Sequence, residues 1–274
     1  MSFAAATAMD CTTPGHYRGT IAEGWDIAGN ANGGYLLSLA ARALSHHTER
    51  PDPVTLTAHY LRPGRPGPVS LECETVKTGR LFATVSGRLA DAEGKPMLAL
   101  LGSFGDLAQP ISDIRRLDGA PDVTPLEECN RHLGHVQAEE PAAGNGAVPP
   151  AFHSKVDLRL DPRDAGFLTA TPSGDARMRG WFRLRNDEPM DTLALLTALD
   201  AFPPTIFNAN LPVAWTPTVE LTCHIRSRPP ADWLMAQFTS RFVSGGMLEE
   251  DGELWTQDGE LVAQSRQLAL LPRG

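Results

Sequence analysis

The chain has 274 residues, of which 42% are hydrophobic and 21% charged, with a net charge of −9. That size and balance fit a packed globule of one large domain or two ordinary ones. The acidic sum speaks against a nucleic-acid partner, which would need a basic face.

Four scattered cysteines (Cys11, Cys73, Cys129, Cys223), with no C-x-x-C spacing, argue against a zinc site or a disulfide framework. No apolar run approaches the roughly 20 residues of a membrane span, so no membrane insertion is expected. The N-terminal M-S-F-A-A-A-T-A-M-D has no signal-peptide pattern, and the expected location is the cytoplasm.

Residues 1–29 are mixed, with Trp25 the main apolar anchor. N-A-N-G-G-Y-L-L-S-L-A-A-R-A-L follows from Asn30 to Leu44, where Asn32 can cap a mostly apolar helix and small residues let it lie close against a sheet. Strands are expected at Val54–Arg62, Val69–Val76, Leu81–Ala90 and Pro96–Phe104, an antiparallel meander around that helix. From Gly105 to Pro150, prolines break any long element; a short helix at Thr124–Leu133 is the one candidate there, and the stretch closing on Pro149-Pro150 reads as an exposed connector.

The first pattern then recurs. Strands are expected at Val156–Leu160 and Arg179–Leu184, and a buried helix over Met190–Asp200. Further strands follow at Thr218–Arg226, Leu234–Val243, Glu253–Thr256 and Leu261–Leu271. Arg62-Pro63 recurs as Arg228-Pro229, and the turn at Ala92–Lys95 recurs as Gln257–Glu260. A near-constant offset across a helix-plus-meander unit indicates two copies of one module. The expected division is residues 1–105, a connector at 106–150, and residues 151–274.

The chain holds no G-x-S-x-G, no phosphate-binding G-x-x-x-x-G-K-[ST], no dinucleotide G-x-G-x-x-G after a strand and no H-E-x-x-H. His46-His47 would diverge on a helix, and His132/His135 read as surface histidines of the connector rather than metal ligands. Three polar residues remain. Asp200 shares a helix face with Leu193 and Leu196, so it is either an expensive buried carboxylate or a solvated helix end. Gln267 falls by period 2 on a face with Leu261, Ala263, Ser265, Ala269 and Leu271, pointing inward. Thr218 heads a strand whose polar face reads Thr218, Glu220, Thr222, His224, Arg226, where an ordinary strand threonine is the simpler reading.

The motifs N-G-G-Y (Asn32–Tyr35), H-Y-L-R-P-G (His59–Gly64), T-G-R-L-F-A-T-V (Thr78–Val85), L-D-A-F-P-P (Leu199–Pro204), T-V-E-L-T-C-H-I-R (Thr218–Arg226) and T-Q-D-G-E-L-V-A-Q-S-R-Q (Thr256–Gln267) occur in order and with two-module spacing. Together they make the chain resemble the acyl-CoA thioesterase II family, the TesB-like double-hotdog thioesterases. The resemblance implies an α+β fold in which each half wraps a long helix in an antiparallel sheet.

It also implies hydrolysis of an acyl-CoA to a free acid and CoA without a metal or other cofactor, and homodimers or higher homo-oligomers. Its Asp, Ser/Thr and Gln around a water fall on Asp200, Thr218 and Gln267. Gly33, Gly34, Tyr35, His59 and Arg62, from the matching first-half motifs, are the expected substrate contacts. Arg65, Arg80 and Arg228 are further candidate cations for CoA phosphates, and the Asn32-Gly33-Gly34 amides for an oxyanion.

Asp200 would act as base or as nucleophile. Other members carry D-H where this chain has Glu220-Leu221, and the segment before Arg228-Pro229 is one residue longer. That departure keeps a binding protein without turnover as an alternative. A hotdog enoyl-CoA hydratase ranks lower, since Asp200 is followed five positions later by Thr205 and not by the histidine of D-x-x-x-x-H.

Overall fold

The computed structural model describes residues 1–108, 118–129, 150–211 and 213–271. The first half opens with a short helix α1 (Phe3–Ala6) and a hairpin, β1 (Met9–Thr13) and β2 (His16–Ile21). A two-stranded ribbon, β3 (Asp26–Ile27) and β4 (Asn30–Ala31), leads into α2 (Gly33–Thr48). The meander follows as β5 (Asp52–Tyr60), β6 (Gly67–Thr78), β7 (Ala83–Asp91) and β8 (Pro96–Gly105).

The second half runs β9 (Val156–Leu160), β10 (Arg177–Leu184), α3 (Thr192–Ala198), β11 (Thr218–Ile225), β12 (Leu234–Thr239), β13 (Val243–Ser244), β14 (Met247–Trp255) and β15 (Leu261–Leu270).

Thirteen of these strands make one antiparallel sheet in the order β1-β2-β6-β7-β8-β5-β11-β15-β14-β12-β10-β9, with β13 on β14. The two halves read outward from the β5–β11 seam in the same sequence of strands. Thr57 and Thr222, 165 positions apart, meet at this seam with their hydroxyls 2.8 Å apart. The 165- to 166-residue offset of the sequence repeat is thus visible as a local two-fold. This is the double-hotdog arrangement that the resemblance implies.

The helices lie on one face of the sheet and against each other. Asn32 caps α2 by accepting the Tyr35 N–H at 2.8 Å, and Glu49 ends it in a left-handed conformation before Pro51. Leu36, Leu37, Leu39 and Leu44 are fully buried, each stabilising by about 1.5–3 kcal/mol. Where α2 meets α3, Ser38 Oγ sits 2.8 Å from both the Leu193 carbonyl and Thr197 Oγ1. Only a glycine allows the approach at Gly34, where an added Cβ would lie 2.5 Å from the Leu196 carbonyl oxygen.

Several sequence expectations change. The second helix is two turns long, not Met190–Asp200: Asp191 caps it, and Asp200 lies in the turn just past its end. Residues 1–29 hold the β1–β2 hairpin as an added sheet edge. The strand expected at Glu253–Thr256 begins earlier, at Met247, and the one expected to reach Val243 ends at Thr239. Of Thr124–Leu133, the described part forms a turn, which packs with Cys129, Val123 and Leu126 on Trp181, Trp233, Met235 and Trp255. The other residues of that stretch lie outside the described ones, as do His132, His135 and most of the stretch read as an exposed connector.

Candidate active site

Asp200 is placed by the junction of the two halves. Its carboxylate Oδ2 accepts the Gly34 N–H at 2.8 Å and the Asn32 side-chain amide at 3.3 Å; the same Asn32 amide donates to the Asp200 backbone carbonyl at 2.7 Å. The N-terminal end of α2 therefore points at the carboxylate, where its partial positive charge is favourable.

Two effects compete on this group. Burial pushes the carboxyl up, while the Gly34 and Gly33 amides pull it down, and burial wins, leaving it at about 6. It therefore ionises at neutral pH yet stays more basic than an exposed carboxylate. Tyr60 closes the pocket: its hydroxyl donates to the Gly33 carbonyl at 2.9 Å, and burial, then the nearby Asp200 charge, raises its own phenol well above the ordinary value.

Gln267 and Thr218 form a second group. Gln267 Nε2 donates to Thr218 Oγ1 at 2.6 Å. Strict alternation would put Thr218 with Glu220 on the outer face of β11, as the sequence reading has it. The register slips between Thr218 and Glu220, so that Thr218 pairs with Ala269 while Leu221 pairs with Gln267. This bulge turns Thr218 onto the inner face beside Gln267. With one amide proton spent on Thr218, the Gln267 carbonyl and the Thr218 hydroxyl proton remain to hold a small polar molecule.

A third group had no place in the sequence reading. Glu250 lies directly across β14–β15 from Gln267, on the same inner face as buried Leu248, Gly252 and Leu254. Its carboxylate accepts the Thr205 N–H at 2.8 Å, and burial with the nearby Asp200 and Glu249 charges raises it to about 7. The signal was available as alternation from Leu248 to Leu254, but Glu249-Glu250-Asp251 reads as a solvated charge run.

The family model for the acyl-CoA thioesterase N-terminal domain matches residues 21–105, and that for the acyl-CoA thioesterase C-terminal domain matches residues 127–271. The chain belongs to the acyl-CoA thioesterase family.

A presumed thioesterase II from Thermobifida fusca is 29% identical and superposes with a TM-score of 0.85 over 99% of this chain and 97% of that one. A hot dog fold protein of unknown function from Alicyclobacillus acidocaldarius is 23% identical, with a TM-score of 0.82 over 99% and 98%. The acyl-CoA thioesterase II TesB2 of Mycobacterium marinum is 20% identical, with a TM-score of 0.71 over 100% and 99%. The last two similarities carry the fold, a double hotdog; family and first neighbour make the chain a thioester hydrolase.

For this acyl-CoA thioesterase-family chain, the expected substrate contacts separate. Gly33 and Gly34 line the Asp200 carboxylate: a Cβ on Gly33 would sit 2.8 Å from Asp200 Oδ2. Tyr35 does not reach that pocket. It is fully buried, stacked on Trp25 at 4.8 Å, with its hydroxyl donating to the Ala6 carbonyl and accepting the Ala22 N–H. Its bulk and satisfied hydroxyl make it a core residue, because α2 turns it away from Asp200.

His59 is exposed and alternates with buried Ala58, which puts it on the outer face, across from Glu220. Arg62, Arg65 and Arg80 are exposed, whereas Arg228 is held by Asp52 at 3.0 Å and Asp106 at 3.1 Å. The Gly34 amide, expected to be available to an oxyanion, is engaged by Asp200. Among the described residues no three His, Cys, Asp or Glu side chains gather into a metal-binding group, and no helix is long and apolar enough to cross a membrane.

Proposed function

We propose that the chain hydrolyses an acyl-CoA thioester to a carboxylic acid and CoA, with Asp200 as general base. The observation that carries this reading is a carboxylate raised by burial to about 6 at the junction of the two halves, where the Gly34 and Asn32 donors fix its orientation. A water held by the Gln267 carbonyl and the Thr218 hydroxyl attacks the thioester carbon while Asp200 takes its proton. The tetrahedral intermediate then collapses. The C–S bond breaks with its electron pair on sulfur, and the proton on Asp200 passes to the leaving thiolate.

Gly33 and the exposed Arg62 remain in the proposal as contacts of the substrate, the first close to the reacting atoms and the second to an anionic carrier. The proposal also includes self-association into a dimer or higher homo-oligomer, which sedimentation tests, and a cytoplasmic setting, which suits four free thiols.

The test is release of free thiol from a panel of acyl-CoAs by the wild type beside Asp200→Asn, which keeps the shape and removes the base. A fall of roughly a hundredfold or more supports base catalysis. Unchanged turnover removes Asp200 from the mechanism. Turnover only on carrier-protein thioesters moves the substrate class.

A further inference from the structure

Glu250 is a second inward carboxylate that the mechanism above leaves idle. It stands across from Gln267 in the register of β14 and β15, and its Oε2 holds the Thr205 amide, five residues after Asp200. The segment between them, Ala201-Phe202-Pro203-Pro204, is the turn that sets where the Asp200 side chain enters the site. Thr205 is fully buried and its hydroxyl pairs with Ser240 at 2.6 Å, so the far end of that turn is pinned to the sheet through Glu250 and Ser240.

We propose that Glu250 is a positioning residue for thioester hydrolysis: its carboxylate clamps the turn after Asp200 through the Thr205 amide and so fixes where the Asp200 side chain enters the site. The proposal rests on Asp200 as base. The groups that face Glu250 are Asp200 from the end of α3, Thr205 from the turn, Gln267 from β15, and Glu249 beside it on β14. Those around Asp200 are Asn32, the Gly33 and Gly34 amides and Tyr60.

Among the described residues neither carboxylate has an ion-pair partner, so nothing nearby neutralises the pair. Two like charges in a partly dry pocket disfavour each other's ionised form. Asp200, the more acidic of the two, ionises first, and its charge holds the Glu250 proton to higher pH.

The experiment measures two things on the intact enzyme: kcat/KM against pH for acyl-CoA hydrolysis, and carboxyl titration by 13C NMR. It uses the wild type, Glu250→Gln, Glu250→Leu and Asp200→Asn. Glutamine still accepts the Thr205 N–H but carries no charge. Its kcat and acid limb are expected to stay close to the wild type, and the Glu250 titration is expected to move to lower pH by about half a unit or more in Asp200→Asn. Glu250→Leu leaves the Thr205 amide unpaired and is expected to lower kcat at every pH.

A Glu250 midpoint in Asp200→Asn that overlays the wild type overturns the charge coupling, and a kcat in Glu250→Gln as low as in Glu250→Leu overturns the role of the Thr205 hydrogen bond. Full kcat in Glu250→Leu overturns the clamp. Full activity in Asp200→Asn sinks the base reading, while the NMR shift still reads whether the two carboxylates face each other.

Discussion

Gly34 and Asp200 stand 166 positions apart in the chain and 2.8 Å apart at their hydrogen-bonding atoms. One half of the molecule supplies the carboxylate and the other the helix end that receives it. The site therefore exists only when both halves are docked.

Gly34→Ala tests that docking. The new methyl would lie 2.5 Å from the Leu196 carbonyl oxygen and 2.9 Å from Asp200 Cβ. Both neighbours belong to backbone or a short side chain and cannot swing away. The expected loss is about 1–3 kcal/mol of stability by denaturant unfolding, with thiol release falling as well. Retained stability and rate would mean that α2 and α3 can separate at no cost.

With Asp200 as the proposed base, a pH dependence of hydrolysis is expected. A base must be deprotonated to act, so kcat/KM is expected to rise with pH through about 6 and level off above. Asn32→Asp keeps the helix cap but replaces an amide donor with a second charge beside the carboxylate. The acid limb is expected to shift up by about one unit in that variant. A shift downward would contradict the arrangement around Asp200.

Stability runs against pH in the same place. The folded chain holds the Asp200 proton to about 6, above its ordinary value of 3.8, so the folded state binds more protons than the unfolded one in that window. This group's contribution to stability is therefore lost as pH rises through the window. Asp200→Asn removes the loss and is expected to raise Tm at pH 8 by about 2–4 °C while leaving it unchanged near pH 4. Scanning calorimetry at the two pH values checks the sign.

Thr218 and Gln267 act as one hydrogen-bonded unit. Thr218→Ala and Gln267→Ala are each expected to lower kcat about 10- to 100-fold, with the double variant little worse than either alone. Deleting Val219 removes the bulge but leaves Thr218 next to Glu220 and opposite Ala269, still on the inner face, so it is expected to cost less than Thr218→Ala. Independent, multiplying effects would show that the two hold different atoms.

The meander strands and the repeat were legible because they rest on alternation and on turn residues, which neighbours along the chain determine. Gln267 was legible for the same reason, sitting inward among small apolar residues. Thr218 was named by resemblance, yet its orientation was hidden, since a bulge shifts period 2 by one residue. Tyr35 and His59 lie away from Asp200, one in the core and one on the outer face, because the motif that holds them fixes a backbone, not the direction of each side chain. Glu250 escaped because its partner, the Thr205 amide, arrives from 45 residues away and leaves no local trace.

The Thr57–Thr222 contact at the β5–β11 seam bears on how the molecule assembles. Every other neighbouring pair along the sheet joins strands of the same half, whereas the seam closes over more than 160 residues and is entropically the costliest pairing to find. Until it zips, each half offers a free edge strand whose complement is also present on every other copy in solution. Slow refolding and half-for-half exchange between chains at high concentration are the natural hazards of such a design. An engineered shorter connector would favour partner halves on separate chains.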